Sequence, residues 1–324
     1  MLWLFSCLCI FLCIMFLMVS NNFFFWWFFF EMSLFLIIPF YLFKMNFKYL
    51  MGAILYFLMQ VLSSVFFIFG LLVLDVGCFM DVMNVFFVMS LVIKMGFIPF
   101  IFWYIEVMSL LNEFLLFLML VVQKVPMLVV FYNLVEFLNF NFFFFILIIS
   151  FLVSMLGGMK SFNLFNLLSF SSVSNMVIIM IMFIFFKNFW AWFYFLFYSF
   201  FLYFVLMVLK KNGEKNINFM KIFQENLFLL FLLCNMGGFP PTLGFLLKVM
   251  FLMSLKFLSL IFLFFFIIVS SLSVFFYLRM FSLSFFNSVS FGSLKNLSIM
   301  DSGIDTIYYF LLLMFLMFIL LFLL

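Results

Sequence analysis

Residues 237–248 of the chain read GGFPPTLGFLLK, with three glycines and two prolines in the first eight positions and a lysine at the end. The residues around this stretch are almost entirely apolar, and segment 226–252 is long enough to cross a bilayer. Proline removes a backbone donor and clashes with the preceding turn, so the composition predicts a helix that opens at membrane depth. The expected helix-breaking residues are Gly237, Gly238, Pro240, Pro241 and Gly244.

The whole chain has the composition of a membrane protein. Of its 324 residues, 72% are hydrophobic, and the mean hydropathy of +1.51 excludes a water-soluble domain. Apolar runs of roughly 20 residues predict an all-α polytopic fold, because the strands of a membrane barrel are shorter and alternate apolar with polar residues. Division at the polar clusters predicts about eleven transmembrane helices, at residues 1–20, 22–43, 50–73, 84–107, 113–134, 142–159, 167–186, 189–209, 226–252, 257–282 and 305–324.

The fourth predicted span contains a second candidate break. Residues 94–99 read KMGFIP, so Gly96 and Pro99 lie in the middle of span 84–107. A discontinuous helix is therefore expected here as well, with a simple kink as the alternative interpretation.

The positions of the two broken spans predict an internal repeat. After a first span at 1–20, residues 22–159 and 167–324 each contain five spans, and the broken span is the third in both. An odd number of helices per unit inverts the second unit relative to the first, as in many secondary transporters. The sequence therefore predicts one antiporter-like membrane domain, residues 1–324, built from two inverted five-helix repeats.

Four basic side chains lie inside the apolar runs, although only 7% of the residues are charged. They are Lys94, Lys124, Lys248 and Arg279. A charge at the bilayer centre costs about 2.5–3.5 kcal/mol on insertion scales, so such residues indicate function, here an ion or proton path. Arg279 lies near the end of its span, where an interfacial anchor is the simpler interpretation. Pro126, shortly after Lys124, is a further candidate helix break.

The sequence argues against several kinds of chemistry. It contains no histidine, and its five cysteines form no CxxC pair, so neither a Cys/His metal site nor a histidine-ligated haem is expected. It has no GxGxxG or Walker sequence, and its net charge of +4 is too small for nucleic-acid binding. The energy for moving a charge against a membrane potential must therefore come from a partner.

Several stretches resemble one known family. Residues 94–103, KMGFIPFIFW, resemble the pattern K-L-G-x-x-P-F-H-x-W, and residues 122–126, VQKVP, resemble W-Q-K-x-x-P. Residues 237–248 match G-G-L-P-P-x-x-G-F-x-x-K, and Glu31 corresponds to an early acidic helix. These motifs occur in order, so the chain resembles the antiporter-like membrane subunits of mitochondrial NADH:ubiquinone oxidoreductase, respiratory complex I. Its length favours the subunit 2 family over the longer subunits 4 and 5.

Two histidines of that family are absent. The position after Pro-Phe is Ile101, and the stretch Y-S-S-I-x-H reads FSSVSN at residues 170–175, which puts Asn175 in place of the second histidine. Either pumping is reduced, or water with hydroxyl and amide groups replaces the histidines. The candidate polar network consists of Tyr56, Gln60, Ser171, Ser172, Asn175 and Arg279.

The resemblance implies a proton relay through this chain. Glu31 is expected to pair with Lys94 as a modulating ion pair, with Lys124 as the central relay and Lys248 as the terminal donor. Burial disfavours a charged lysine and a nearby carboxylate favours it. Making and breaking the contact between Glu31 and Lys94 would therefore load and unload the proton.

The resemblance also implies a location and partners. It places the chain in the mitochondrial inner membrane as a core subunit of an H⁺-translocating NADH:ubiquinone reductase, beside the antiporter-like subunit 4, other membrane subunits and lipids. No cofactor is expected on this chain, because FMN, the iron–sulfur clusters and ubiquinone belong to partner subunits. The alternatives are a stand-alone secondary cation/proton antiporter of the same fold and a structural subunit that has lost pumping.

Overall fold

The structure, a computed structural model, describes residues 2–20, 22–42, 47–76, 80–135, 140–161, 163–186, 189–211, 227–240, 242–255 and 260–291. Every regular element within these ranges is a helix, which confirms the predicted all-α polytopic membrane fold. By length and composition, seven helical segments in these ranges are apolar enough to cross a membrane, and three shorter apolar helices accompany them.

Within the described ranges the chain forms thirteen helices. A π-helical turn, Leu118–Val122, lies between the sixth and the seventh. In chain order the helices are α1 (Leu2–Val19), α2 (Phe23–Leu42), α3 (Phe47–Val76), α4 (Met80–Met95), α5 (Ile101–Leu110), α6 (Glu113–Phe117), α7 (Lys124–Leu134), α8 (Phe140–Lys160), α9 (Leu164–Phe186), α10 (Phe189–Lys211), α11 (Leu227–Gly237), α12 (Leu243–Ser254) and α13 (Leu260–Phe291).

The helices account for the predicted spans up to residue 282. Span 84–107 consists of α4 and α5, and span 226–252 consists of α11 and α12, so both predicted discontinuous helices are confirmed. Span 113–134 consists of α6, the π-helical turn and α7. The last predicted span, 305–324, lies outside the described residues.

Pro126 requires a correction, because it does not break a helix. It lies in the first turn of α7, where backbone N–H groups have no partner within the helix, so a proline costs no hydrogen bond there. The irregularity precedes it, in the π-helical turn, where the N–H of Gln123 donates to the carbonyl oxygen of Leu118 at 2.9 Å. The chain is therefore wound more widely before Lys124 and is not interrupted at Pro126.

Burial distinguishes the helices that carry polar residues. α9 and the segment formed by α6 and α7 are largely buried, whereas α3 and the first part of α13 are largely exposed. α9 packs against α5, α7 and α8. A helix that is apolar on all sides can lie in the interior, and the polar side chains that α7 and α9 carry are thereby removed from lipid.

The chain forms two compact units, Met1–Phe195 and Leu196–Leu324. The boundary between the units lies within α10, whereas the predicted repeats, residues 22–159 and 167–324, meet just before α9. The division of one membrane domain into inverted repeats remains a prediction.

The close approach of α12 to α11 leads to a stability prediction. A Cβ atom at Gly244 would collide with the backbone carbonyl oxygen of Asn235. We predict that Gly244→Ala lowers the free energy of unfolding by about 3 kcal/mol, the upper end of the usual overpacking cost, because a helix carbonyl cannot move aside. Gly52→Ala is the matched control, since a Cβ there meets side chains at 3.6 Å or more. Unfolding of the two purified variants in detergent measures the difference, and equal stability would contradict the prediction.

Candidate functional site

Three of the four predicted intramembrane cations are deeply buried. The exposed fraction is 5% for Lys94, 2% for Lys124 and 6% for Lys248. Arg279 is half-buried on α13, as expected for a side chain near the end of a span. The buried lysines, two in the first unit and one in the second, are the candidate functional residues, and each lies beside an irregularity in a helix.

Lys94 lies in the last turn of α4 and faces α2. Its Nζ atom is 3.8 Å from the ring centroid of Phe30, and the neighbouring Glu31 interacts with it electrostatically. The Oε1 atom of Glu31 is buried without a hydrogen-bond partner among the described residues. Glu31 therefore lies within electrostatic range of Lys94, and the direct contact observed for the Lys94 ammonium is with the ring of Phe30.

The first helix break follows directly after Lys94. The N–H of Gly96 donates to the carbonyl oxygen of Ile93 at 3.2 Å, and the N–H of Phe97 donates to that of Val92 at 3.0 Å. These two bonds form a Schellman motif, in which the residue after the helix takes a left-handed conformation. Gly96 has a φ of 71°, and the next turn contains a cis peptide bond between Ile98 and Pro99.

The second helix break has the same backbone pattern. The N–H of Gly238 donates to the carbonyl oxygen of Asn235 at 3.2 Å, and the N–H of Phe239 donates to that of Cys234 at 3.1 Å. Gly238 also has a φ of 71°. Pro240 follows in the turn, while Pro241 lies outside the described residues. The glycines, more than the prolines, therefore end both helices, because they supply the left-handed residue.

Lys248 of α12 reaches back to the end of α11. Its Nζ atom donates to the carbonyl oxygen of Gly237 and to the Oγ atom of Ser273 on α13. A Cβ atom at Gly238 would lie 2.9 Å from the Lys248 Nζ atom, so only glycine leaves room for the side chain. The last carbonyls of a helix carry partial negative charge, which suits this position for a cation.

Lys124 begins α7, directly after the π-helical turn. Its Nζ atom is buried without a hydrogen-bond partner among the described residues, and it lies 5.2 Å from the centroid of the Tyr104 ring. The hydroxyl of Tyr104 is 3.0 Å from the Oγ atom of Ser172 on α9. Ser172, predicted from the sequence, and Tyr104, which the sequence did not single out, therefore meet beside the central lysine.

Part of the predicted polar network is formed with other partners. Tyr56 donates to the Oε1 atom of Gln123 at 3.2 Å, and Gln123 donates to the carbonyl oxygen of Ser33 at 3.3 Å. Gln60 is buried on α3 one turn after Tyr56, and the observed contact of the Tyr56 hydroxyl is with Gln123, the residue just before α7. The sequence did offer one indication that Gln123 belongs to the network, since it is a glutamine in an apolar run directly beside Lys124.

The α9 residues of the predicted network also differ in role. Asn175 accepts a hydrogen bond of 3.1 Å from the hydroxyl of Tyr194 on α10. Ser171 donates to the carbonyl oxygen of Leu168 within its own helix. The sequence did not predict the role of Tyr194, because nothing in an apolar run shows which residue a tyrosine hydroxyl will contact. Across the described residues, no group of His, Cys, Asp and Glu side chains is arranged to hold a metal ion.

The fold, the two helix breaks and the buried lysines define a polytopic membrane subunit of antiporter-like architecture. The chain belongs to the NADH:quinone oxidoreductase/Mrp antiporter transmembrane family, whose model matches residues 75–275, more than half of the chain. Lys94, Lys124 and Lys248 all lie within the matched range. No curated protein matches the sequence significantly.

Three solved structures share the fold at low sequence identity. A chain of respiratory complex I from Thermus thermophilus with bound aureothin matches with a TM-score of 0.77 and 17% identity, covering 85% of this chain and 68% of that one. A chain of the membrane-bound sulfane sulfur reductase, an archaeal respiratory membrane complex, matches with a TM-score of 0.68 and 13% identity, covering 84% of this chain and 64% of that one. A chain of the Mrp complex from Dietzia sp. DQ12-45-1b matches with a TM-score of 0.67 and 14% identity, covering 81% of this chain and 56% of that one. The protein thus spans between about half and two thirds of the length of these chains.

The contacts of Lys248 lead to a prediction for Ser273. We expect Ser273→Ala to lower the free energy of unfolding by about 1.5–3 kcal/mol, because a buried charged group loses one of its hydrogen bonds. Ser271→Ala is the control, since Ser271 is exposed on the same helix and bonds only to the carbonyl oxygen of Ile268. Unfolding of both variants in detergent gives the comparison, and a Ser273→Ala variant as stable as the control would show that the contact contributes nothing.

Proposed function

We propose that the chain is a proton-translocating membrane subunit of respiratory NADH:ubiquinone oxidoreductase, complex I, and specifically the mitochondrial subunit 2. The observation that carries the proposal is the burial of three lysines at helix irregularities within the matched family range. Buried lysines of this kind can exchange protons because their charged form is poorly stabilised. The order of the family's motifs between about residues 26 and 280 supports this assignment.

The proposed roles follow the order of the lysines along the chain. Glu31 modulates the charge of Lys94 through the electrostatic interaction between them. Lys124 is the central relay, and Lys248 is the terminal donor, with its ammonium bound at the end of α11. Each transfer moves one proton from an ammonium to a neutral acceptor and leaves an amine that can accept the next proton.

The energy for the cycle comes from outside the chain in this proposal. Moving one elementary charge against 100 mV costs about 2.3 kcal/mol. We therefore propose redox chemistry in partner subunits as the source, with FMN, iron–sulfur clusters and ubiquinone bound there. The proposed neighbours are the antiporter-like subunit 4, other complex I membrane subunits and lipids of the mitochondrial inner membrane.

A second candidate function is a cation/proton antiporter. The similarity to a chain of the Mrp complex and the inclusion of Mrp antiporters in the family description favour it. The two candidates differ in what drives transport, since an antiporter exchanges protons for another cation without NADH oxidation. A third candidate, a subunit without a proton path, is favoured by the absence of the family's two histidines.

The assembly provides the first test. We expect peptides of the chain, in near-equal amounts with other core subunits, in the band of a native gel that oxidises NADH after gentle solubilisation of the membranes. Detection only in smaller, inactive bands would reject the complex I assignment and favour the antiporter.

The lysines provide the second test. Replacement of Lys94, Lys124 or Lys248 by Met removes the exchangeable charge with little change in side-chain length. We expect each replacement to lower the ratio of protons translocated to NADH oxidised, because an interrupted relay carries no protons. The drop should equal the contribution that this chain makes to the ratio. Membrane vesicles with a pH-sensitive dye measure the ratio.

Lys160→Met is the control for these variants, because Lys160 is exposed at the end of α8. Its ratio should equal that of the unchanged chain. An unchanged ratio in all three buried-lysine variants, in assembled complexes, would support the subunit without a proton path.

A further inference from the structure

The Lys124 ammonium lies over the face of an aromatic ring, whereas a buried cation usually donates to a hydrogen-bond acceptor. Its Nζ atom has no hydrogen-bond partner in the part of the chain that the structure describes, and the Tyr104 ring centroid lies 5.2 Å away. A cation within about 6 Å of a ring centroid is attracted by the negative face of the ring, most strongly where water is excluded. The ring of Tyr104 therefore compensates part of the cost of burying this charge.

The Tyr104 ring is fixed at its hydroxyl end. Ser172 donates its only hydroxyl hydrogen to the carbonyl oxygen of Ser169 at 2.7 Å. In the contact of 3.0 Å between the two hydroxyls, Tyr104 is consequently the donor and Ser172 the acceptor. Both side chains are buried, so this hydrogen bond is costly to lose.

The base of the ring is fixed by the first helix break. A Cβ atom at Gly96 would lie 2.6 Å from both Cβ and Cγ of Tyr104, so the backbone of the break packs directly on the tyrosine. Gly96 follows Lys94 by two residues. The end of α4, which carries Lys94, thus packs against Tyr104, whose ring lies beside Lys124.

We propose that Tyr104 is a positioning residue for proton transfer at Lys124, with its ring face stabilising the ammonium and its hydroxyl anchoring the ring on Ser172. The inference rests on the proposed function, because it assigns Tyr104 to the same proton path. A neutral ring stabilises the charged lysine without forming an ion pair. An ion pair with a carboxylate would instead retain the proton on the lysine. The ring therefore permits both the ammonium and the amine, as a relay requires.

The test compares Tyr104→Phe with Tyr104→Met in the assembled complex. Phenylalanine retains the ring face and loses the hydroxyl, whereas methionine fills a similar volume without a ring face. The measurement is the number of protons translocated per NADH oxidised in membrane vesicles. Native gels report the amount of assembled complex for each variant.

The expected result is a clear loss in Tyr104→Met, up to that in Lys124→Met, with most of the translocation restored in Tyr104→Phe. Tyr104→Met should add no further loss to a Lys124→Met chain, because both changes act on the same step. Phe143→Met is the matched control, since Phe143 is a fully buried aromatic residue on α8 whose ring packs against that of Phe131. Its ratio should remain that of the unchanged chain.

Two results would overturn the inference: an unchanged ratio in Tyr104→Met, or a loss in Tyr104→Phe as large as in Tyr104→Met. If Tyr104→Met fails to assemble, Ser172→Ala decides instead. Loss of the anchor should lower the ratio by less than Lys124→Met does, and an unchanged ratio would again overturn the inference. An unchanged ratio in Lys124→Met itself would reject the proposed relay, whereas a loss there with none in Tyr104→Met rejects only the role of Tyr104.

Discussion

The cost of burying an ammonium group in a membrane interior explains most of what surrounds the three lysines. In the first unit, Lys94 lies over the ring of Phe30 and Lys124 lies near the face of Tyr104. In the second unit, Lys248 donates to a carbonyl and a hydroxyl oxygen. These neutral partners, with the added electrostatic interaction of Glu31 at Lys94, stabilise a cation less than a hydrogen-bonded carboxylate would, so the preference for the ammonium over the amine is reduced. The resulting balance is what a proton relay needs, and a protein optimised for stability alone would avoid it.

The helix breaks provide part of this environment. In a continuous helix the carbonyl oxygen of Gly237 would accept a bond from its own helix, but at the end of α11 it is available to Lys248. Lys94 occupies the last turn of α4, where the same partial negative charge is found. Both helices end at a glycine with a φ of 71° and the same pair of backbone hydrogen bonds. This ending is common among helices, so it explains how glycine closes both breaks and leaves the inverted repeat a prediction.

The sequence predicted the features that depend on strong local chemistry. Glycine and proline in apolar runs predicted both discontinuous helices, and the position of lysines within apolar runs predicted three charged side chains that the structure buries. The side-chain partners were not predictable in the same way. When nearly every residue is apolar, no periodic pattern shows which face of a helix is buried, so neither the meeting of Tyr104 with Lys124 nor that of Tyr56 with Gln123 was visible. Pro126 was misjudged because the π-helical turn before it changes which N–H groups need partners.

The first unit also contains a physical route between two of the lysines. Glu31 interacts electrostatically with Lys94, the last turn of α4 leads to Gly96, and Gly96 packs on the ring that faces Lys124. Each link is a direct contact or a short-range charge interaction between neighbouring residues. The end of α4 between Lys94 and Gly96 is closed by two backbone hydrogen bonds, from Gly96 to Ile93 and from Phe97 to Val92. Because the backbone of Gly96 packs tightly on Tyr104, this end of α4 cannot shift without displacing the ring, so the proposed relay has a contiguous set of contacts from Glu31 to Lys124.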